Sequence, residues 1–304
     1  MTTQNSDNLL QSNLGKRRVW FITGANKGLG YAFTRTALEA GDQVVAVART
    51  MGHLKKLQDQ YNNSLLFLNL DIRDRDAVFA TVKAAVEHFG HLDIVVNNAG
   101  VMTLGMVEEL SENDAKDLME TNFFGALWVC QAVMPYLREQ RAGHLIQISS
   151  SGGLISGPMS GLYSASKFAL EGLSEALAQE AGHFGVKLTI VEPGGYWTDL
   201  YTTMQYSSQL DAYHSLREEL AKQYSEGSVD SDPILAAEAL MKLVESENPP
   251  RRLILGSLIF DLVRDTYKER IKTWEDWEAV SRSAEKGSFP VNINTLPSGS
   301  MIVK

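Results

Sequence analysis

The stretch Val19-Trp20-Phe21-Ile22-Thr23-Gly24-Ala25-Asn26-Lys27-Gly28-Leu29-Gly30 reads as an apolar strand that runs directly into a glycine-rich loop. Behind it, Tyr31 to Ala40 has helical patterning, with Gly41 as its stop. Glycines in such a loop permit a tight turn. They also let the pyrophosphate of a dinucleotide approach backbone N–H groups at the positive end of the helix. A glycine loop alone is weak evidence, but a loop that follows a strand and opens a helix is the context that gives it meaning.

Outward from this point, short apolar runs alternate with helical patterns, the signature of βαβ units and a parallel sheet. Seven strands are expected: 19–23, 43–48, 65–70, 94–97, 144–149, 186–191 and 253–255. The fold class is therefore α/β, a doubly wound (Rossmann) seven-stranded parallel sheet flanked by helices, in one domain with a C-terminal extension. No internal repeat or Pro/Gly-rich linker divides the chain. Residues 1–16 are rich in Asn, Gln, Ser and Thr and lack an apolar core, so they are expected to be a disordered arm rather than a secretory signal. The catalytic domain is expected over 17–280 and a polar tail over 281–304.

Composition excludes several functions. Of 304 residues, 44% are hydrophobic and 21% charged, as in an ordinary globular protein, and no apolar run reaches the ~18 to 20 residues of a membrane span. A net charge of −9 argues against non-specific nucleic-acid binding, which needs clustered Lys and Arg. Cys130 is the only cysteine, so no intrachain disulfide forms; a buried inert thiol and a cytoplasmic, reducing location are expected. His88 and His91 lack a supporting cluster of ligands and read as surface residues, with no metal expected.

The chemistry lies in Ser149-Ser150-Ser151-Gly152-Gly153 and Tyr163-Ser164-Ala165-Ser166-Lys167. Residues at i and i+4 of a helix share a face, with Cβ atoms roughly 5–6 Å apart, so Lys167 stands beside the Tyr163 phenol. A phenol with a pKa near ~10 is a poor acid or base at neutral pH, and an adjacent ammonium pulls that value down. Ser150, at the end of the apolar run from His144 to Ile148, sits at a strand's carboxyl end, where open α/β sheets bind ligands.

Serine, tyrosine and lysine at this spacing resemble the active site of the short-chain dehydrogenase/reductase family, and Thr23-Gly24-x-x-x-Gly28-x-Gly30 resembles that family's glycine loop. The resemblance spans roughly 18–256. It implies catalytic roles for Asn122, Ser150, Tyr163 and Lys167, with Asn122 holding a water that links the lysine to bulk solvent. Asn122 would otherwise be a satisfied structural amide in a long helix over 114–141. The resemblance also assigns cofactor contacts to Gly24, Asn26, Lys27, Gly28, Leu29 and Gly30, to Asp71 and Ile72 near the adenine ring, and to Tyr163 and Lys167. Asp71 reads equally as a helix N-terminal acid ahead of 73–89. Asn98, Ala99 and Gly100 form a loop that either contacts the cofactor or stabilises the sheet. Pro193, Gly194 and Thr198 resemble the turn facing the nicotinamide.

The cofactor can be argued from charge. An NAD site places a carboxylate at the end of the second strand, but this chain has Ala48-Arg49-Thr50. Arg49 and Lys27 offer cations for a 2′-phosphate and match positions of NADP(H)-dependent family members, so NADP(H) is expected. The expected reaction is reduction of a small-molecule ketone or aldehyde, with Tyr163 as general acid. Rivals are a 3-oxoacyl thioester reductase, an alcohol or hydroxysteroid dehydrogenase in the oxidative direction, and a non-catalytic NADP(H) sensor. Leu200, Tyr201, Met204, Tyr206, Leu210 and Tyr213 lie where the family has its substrate lid. They either line an apolar pocket or form the packed face of a helix. Pairing of two long helices, around 114–141 and 163–180, into a homodimer or homotetramer is also implied by the resemblance.

Overall fold

A computed structural model describes residues 17–227 and 230–285. The arm at 1–16 and the tail from 286 lie outside the described residues. Nine strands occur in chain order: β1 (Val19–Thr23), β2 (Gln43–Ala48), β3 (Leu65–Asn69), β4 (Ile94–Asn97), β5 (Thr103–Leu104), β6 (His144–Ile148), β7 (Lys187–Pro193), β8 (Gln205–Tyr206) and β9 (Arg252–Leu255). Seven of them form one parallel sheet in the order β3-β2-β1-β4-β6-β7-β9, the expected doubly wound fold. Continuous apolar runs such as Val19–Thr23 and Ile94–Asn97 are buried along their whole length, because helices cover both faces of the sheet.

One face packs against helices Gly28–Glu39 and Pro233–Glu245 through Phe33, Leu38, Ala236 and Leu240. The other packs Val78, Val82, Val129 and Leu137 from helices Arg75–Phe89 and Ala126–Gln140. Strand order reverses between β1 and β4, and a cleft opens outside the carboxyl ends of the strands at that point. A first compact unit ends at Phe260 and a second begins at Asp261.

Several expected boundaries move. The helix expected over 114–141 is two helices, Glu112–Met119 and Ala126–Gln140, joined by a π-helical segment, Glu120–Gly125, that contains Asn122. Such insertions cluster at functional sites. The first of these helices opens on a capping box between Ser111 and Asp114. The helix expected from 73 begins at Arg75, and its N-cap is Asp74, whose side chain accepts from Ala77 N, so Asp71 is not the capping acid. β5 and β8, a short parallel pair, were not expected. Cys130 is buried, with Gln147 Nε2 at 3.0 Å from its sulfur, and burial pushes the thiol up to about 11. No described helix is long and apolar enough to cross a membrane.

Candidate active site

Three strand ends and one helix converge on the chemistry. Tyr163 and Lys167 stand one turn apart on Gly161–Gly182, both buried. Ser150, just beyond β6, caps the short turn Ser151–Gly153, its Oγ accepting from Gly152 N at 3.1 Å. A Cβ on Gly152 would lie 3.2 Å from the Tyr163 ring, so the glycine lets serine and phenol close on one another. Burial pushes the Tyr163 phenol above its ordinary value, and its hydrogen bond with Ser150 opposes the rise. The expected downward pull of Lys167 does not prevail: its Nζ lies 5.9 Å from the ring centroid and donates to Ile148 O at 2.9 Å. Lys167 is itself drawn down to about 8 by burial, against the field of Glu171.

Asn122 is 1% exposed and fully engaged. Its Oδ1 accepts from Val101 N at 2.8 Å, and its Nδ2 donates to Val101 O at 2.9 Å and Ser166 Oγ at 3.0 Å. The side chain is thus a satisfied amide that clamps the segment after β4 to the helix carrying Tyr163 and Lys167. A Cβ on Gly100 would lie 3.4 Å from Asn122 Oδ1 and 3.7 Å from Lys167 Nζ, which places the amide beside the lysine.

Beside this group the glycine loop forms a cradle. Gly24 and Gly28 have φ of +63° and +53°, in the left-handed region that favours glycine. A Cβ on Gly30 would meet Gly24 O at 2.2 Å. Asn98 Nδ2 donates to Thr23 O at 2.9 Å, and Thr23 Oγ1 accepts from Asn98 N and Ala99 N, so the side chain of Asn98 stabilises the loop. Gly24, Asn26, Lys27, Gly28, Leu29, Arg49, Asp71, Ile72, Asn98, Ala99, Gly100, Ser150, Tyr163, Lys167, Pro193, Gly194 and Thr198 all line one cleft of about 850 Å³. Gly30 and Asn122 lie behind its wall. The loop, with its backbone N–H groups and the lining side chains of Lys27, Arg49 and Arg73, could hold a phosphorylated dinucleotide.

The sequence model of the short chain dehydrogenase family matches residues 18–209. The chain belongs to this family. It is 38% identical over 245 residues to oxidoreductase BOA17 of Botryotinia fuckeliana, covering 79% of this chain and 89% of that protein. It is 33% identical to the 3-ketodihydrosphingosine reductase of Bacteroides thetaiotaomicron, covering 80% of this chain and 89% of that one. A crystal structure of a short-chain dehydrogenase from Streptomyces avermitilis superposes with a TM-score of 0.84 at 34% identity, covering 89% of this chain and 99% of that chain.

Within this short-chain dehydrogenase, four features escaped the reading of motifs. Arg73 pairs with Asp71 at 2.6 Å and holds that carboxyl below its usual range. Both Asp71 oxygens are therefore engaged. Asp199 accepts from Gly28 N at 3.2 Å, placing a carboxylate at the helix end that the glycine loop opens. Thr203 Oγ1 accepts from Lys27 Nζ at 3.3 Å. No local pattern announces these partners, 171 and 176 residues away.

The fourth feature is Glu109. Its Oε2 accepts from Met106 N at 2.9 Å, from Ser207 Oγ at 3.2 Å and from the Arg217 guanidinium, and its Oε1 accepts from Leu210 N at 2.9 Å. The Arg217 pairing holds the carboxyl at about 2. The lid is thus neither a single helix face nor a simple pocket wall. Leu200 and Tyr201 line the cleft, Tyr206 joins β8 to β5, Leu210 is exposed, and Tyr213 donates to Glu108 at 2.8 Å. Glu109→Ala is expected to loosen this segment. Hydrogen exchange should rise across 205–217, and kcat/KM should fall by about tenfold through mispositioned substrate, with dinucleotide affinity unchanged. Unaltered exchange would remove Glu109 as the anchor.

Proposed function

We propose that the protein is an NADP(H)-dependent reductase that converts a ketone or aldehyde to an alcohol. The supporting observation is the convergence of Ser150, Tyr163 and Lys167 in the same cleft as a glycine cradle flanked by Lys27 and Arg49. The nicotinamide nucleotide, when bound, supplies the hydride for the carbonyl carbon. Ser150 Oγ hydrogen-bonds the carbonyl oxygen, and Tyr163 Oη gives it the proton, so carbon and oxygen each gain one hydrogen and the alcohol is complete. Burial keeps the phenol protonated at neutral pH, the state a proton donor needs. The ammonium of Lys167 stabilises the phenolate left behind, which takes its proton back from solvent. Asn122 keeps the lysine's surroundings rigid.

Aromatic residues favour an apolar substrate: Tyr201 lines the cleft, and Trp197 and Tyr206 adjoin the lining residues Tyr196, Thr198 and Gln205 in the chain. Trp197 is 74% exposed, with its ring centroid 6.1 Å from that of Tyr201, and Tyr206 is 60% exposed. Lone apolar residues on a surface mean little, but aromatic side chains at the rim of a site bind apolar bodies. The name of the Bacteroides relative, a reductase of a keto compound, also supports reduction of a ketone. The rivals are 3-oxoacyl thioester reduction, alcohol or hydroxysteroid oxidation, and NADP(H) sensing without turnover. Cytoplasmic location and pairing of subunits through helices 112–140 and 161–182 belong to the same proposal. A panel of aldehydes, ketones and 3-oxoacyl thioesters assayed with NADPH is the test. Oxidation of NADPH with apolar ketones or aldehydes is expected; NADPH binding without oxidation by any substrate would favour the sensor.

Asp199 supplies a further check. Its carboxylate occupies the Gly28 N–H and repels a polyanion. Removing a nearby like charge is worth about 1 kcal/mol, so Asp199→Asn should tighten NADPH binding by roughly fivefold. Weaker binding would mean that Asp199 organises the loop for the dinucleotide instead.

A further inference from the structure

Behind the Tyr163–Lys167 pair lies a second charged cluster that the reaction as written leaves unused. Glu171 is one helical turn beyond Lys167, which puts Tyr163, Lys167 and Glu171 on one stripe of the same helix. Its side chain is 6% exposed, and its Oε2 accepts from Arg252 Nη1 at 2.5 Å. The same guanidinium is shared by Glu192, 0% exposed, at 2.7 Å and by the more exposed Glu175 at 2.6 Å. Glu171 Oε1 and Ser149 Oγ are both buried, without a hydrogen-bond partner of good geometry, and a Cβ on Gly153 would meet them at 2.8 and 2.5 Å. The glycine turn after β6 is thus pressed over the carboxylate, on the side where Lys167 stands.

A buried ammonium is costly unless a counter-charge accompanies it. Lys167 is 4% exposed, and its Nζ donates to the neutral carbonyl of Ile148. The titratable and charged groups that face Glu171 are Lys167 and Glu175 from its own helix, Glu192 from β7 and Arg252 from β9; Ser149, the residue after β6, presents its hydroxyl. Arg252 divides its charge among three carboxylates, so it does not cancel Glu171 at the lysine. Burial, reinforced by repulsion from Glu171, pushes Glu192 up to about 7; burial raises Glu171 as well, opposed by the Ser149 hydroxyl, by Arg252 and by Lys167, each of which favours its ionised form.

We propose that Glu171 is a positioning residue for the reaction, the buried counter-charge that keeps Lys167 protonated behind Tyr163. The inference rests on the reductase reading above, in which the lysine must be a cation. Glu171→Gln preserves shape and the capacity to bond Arg252 but removes the charge. Two readouts then follow. In the free protein, the pH dependence of trace acetylation at Lys167, read by peptide mass spectrometry, should shift to lower pH by about one unit, the lower end expected for loss of an opposite charge at this range. In the loaded enzyme, the alkaline limb of kcat/KM should shift the same way, with NADPH affinity at pH 6 unchanged. Glu171→Asp, which keeps the charge but withdraws it by one methylene, should give a smaller shift in the same direction, and it serves if Glu171→Gln does not fold. An acetylation profile superimposable on that of the unaltered protein overturns the proposal, even if turnover falls uniformly with pH, because that is the mark of a merely structural tie between helix and β9. Absence of NADPH oxidation with every carbonyl substrate would instead remove the reductase reading, and the acetylation readout stands apart from that outcome.

Discussion

Tyr163→Phe is expected to lower kcat by about a thousandfold or more while leaving NADPH affinity within about twofold. General acid catalysis by a positioned group contributes ~10²–10⁴-fold, and here the phenol is the acid within reach of the oxygen that Ser150 would hold. The ring itself packs against Gly152, and phenylalanine retains that contact, so the fold should survive. The loss should appear in kcat and kcat/KM together, since the proton is needed in the transition state and not for binding. A pH profile adds a sign. Burial raises the phenol's pKa, so Tyr163 remains a competent donor through neutral pH and weakens only on the alkaline side. Lys167, drawn to about 8, loses its charge earlier. Reductive activity should therefore be flat through neutrality and fall as pH rises past about 8. An alkaline rise, or substantial turnover by the phenylalanine variant, would rule out Tyr163 as the donor.

These residues were legible because their signals are local. A strand, a glycine loop and a helix follow one another within Val19 to Glu39, and Tyr163 and Lys167 are four residues apart on one helix. The sheet was legible for the same reason, since strands buried on both faces read as unbroken apolar runs. The interruption at Glu120–Gly125 was not, because Thr121-Asn122-Phe123-Phe124-Gly125 contains no proline and its apolar residues fit a continuous helix. Asp71 could also be read as a helix N-terminal acid because composition does not separate it from Asp74, three residues on, which is the cap. The rest was illegible for a different reason. Glu109 meets Arg217 across 108 residues and Arg252 meets Glu171 across 81, and a charge in sequence reads as a solvated surface until the fold supplies its partner. The lid likewise depends on β5 pairing with β8, two residues each, too short to carry a periodic pattern.

The double substitution Lys27→Ala with Arg49→Ala should separate the two nicotinamide nucleotides. Both side chains line the cleft, and no carboxylate stands in Ala48-Arg49-Thr50, at the end of β2, to accept a ribose 2′-hydroxyl. Asn26, next to Lys27, donates its Nδ2 to Thr50 Oγ1, next to Arg49, at 3.1 Å, so the segments that carry the two cations meet at one end of the cradle. A charged hydrogen bond contributes about 1.5–3 kcal/mol, and two would amount to some 3–6 kcal/mol; solvent exposure of both residues places the expectation at the lower end of that range. With 1.4 kcal/mol per factor of ten, kcat/KM for NADPH should drop by about a hundredfold and that for NADH by less than threefold. Because the lost term is electrostatic, the gap between the unaltered protein and the variant should narrow as salt rises and the Debye length shortens. Equal losses with both nucleotides would show that the two cations serve the pyrophosphate or the loop, and the proposed preference for NADP(H) would then have to rest on Arg73, which also lines the cleft.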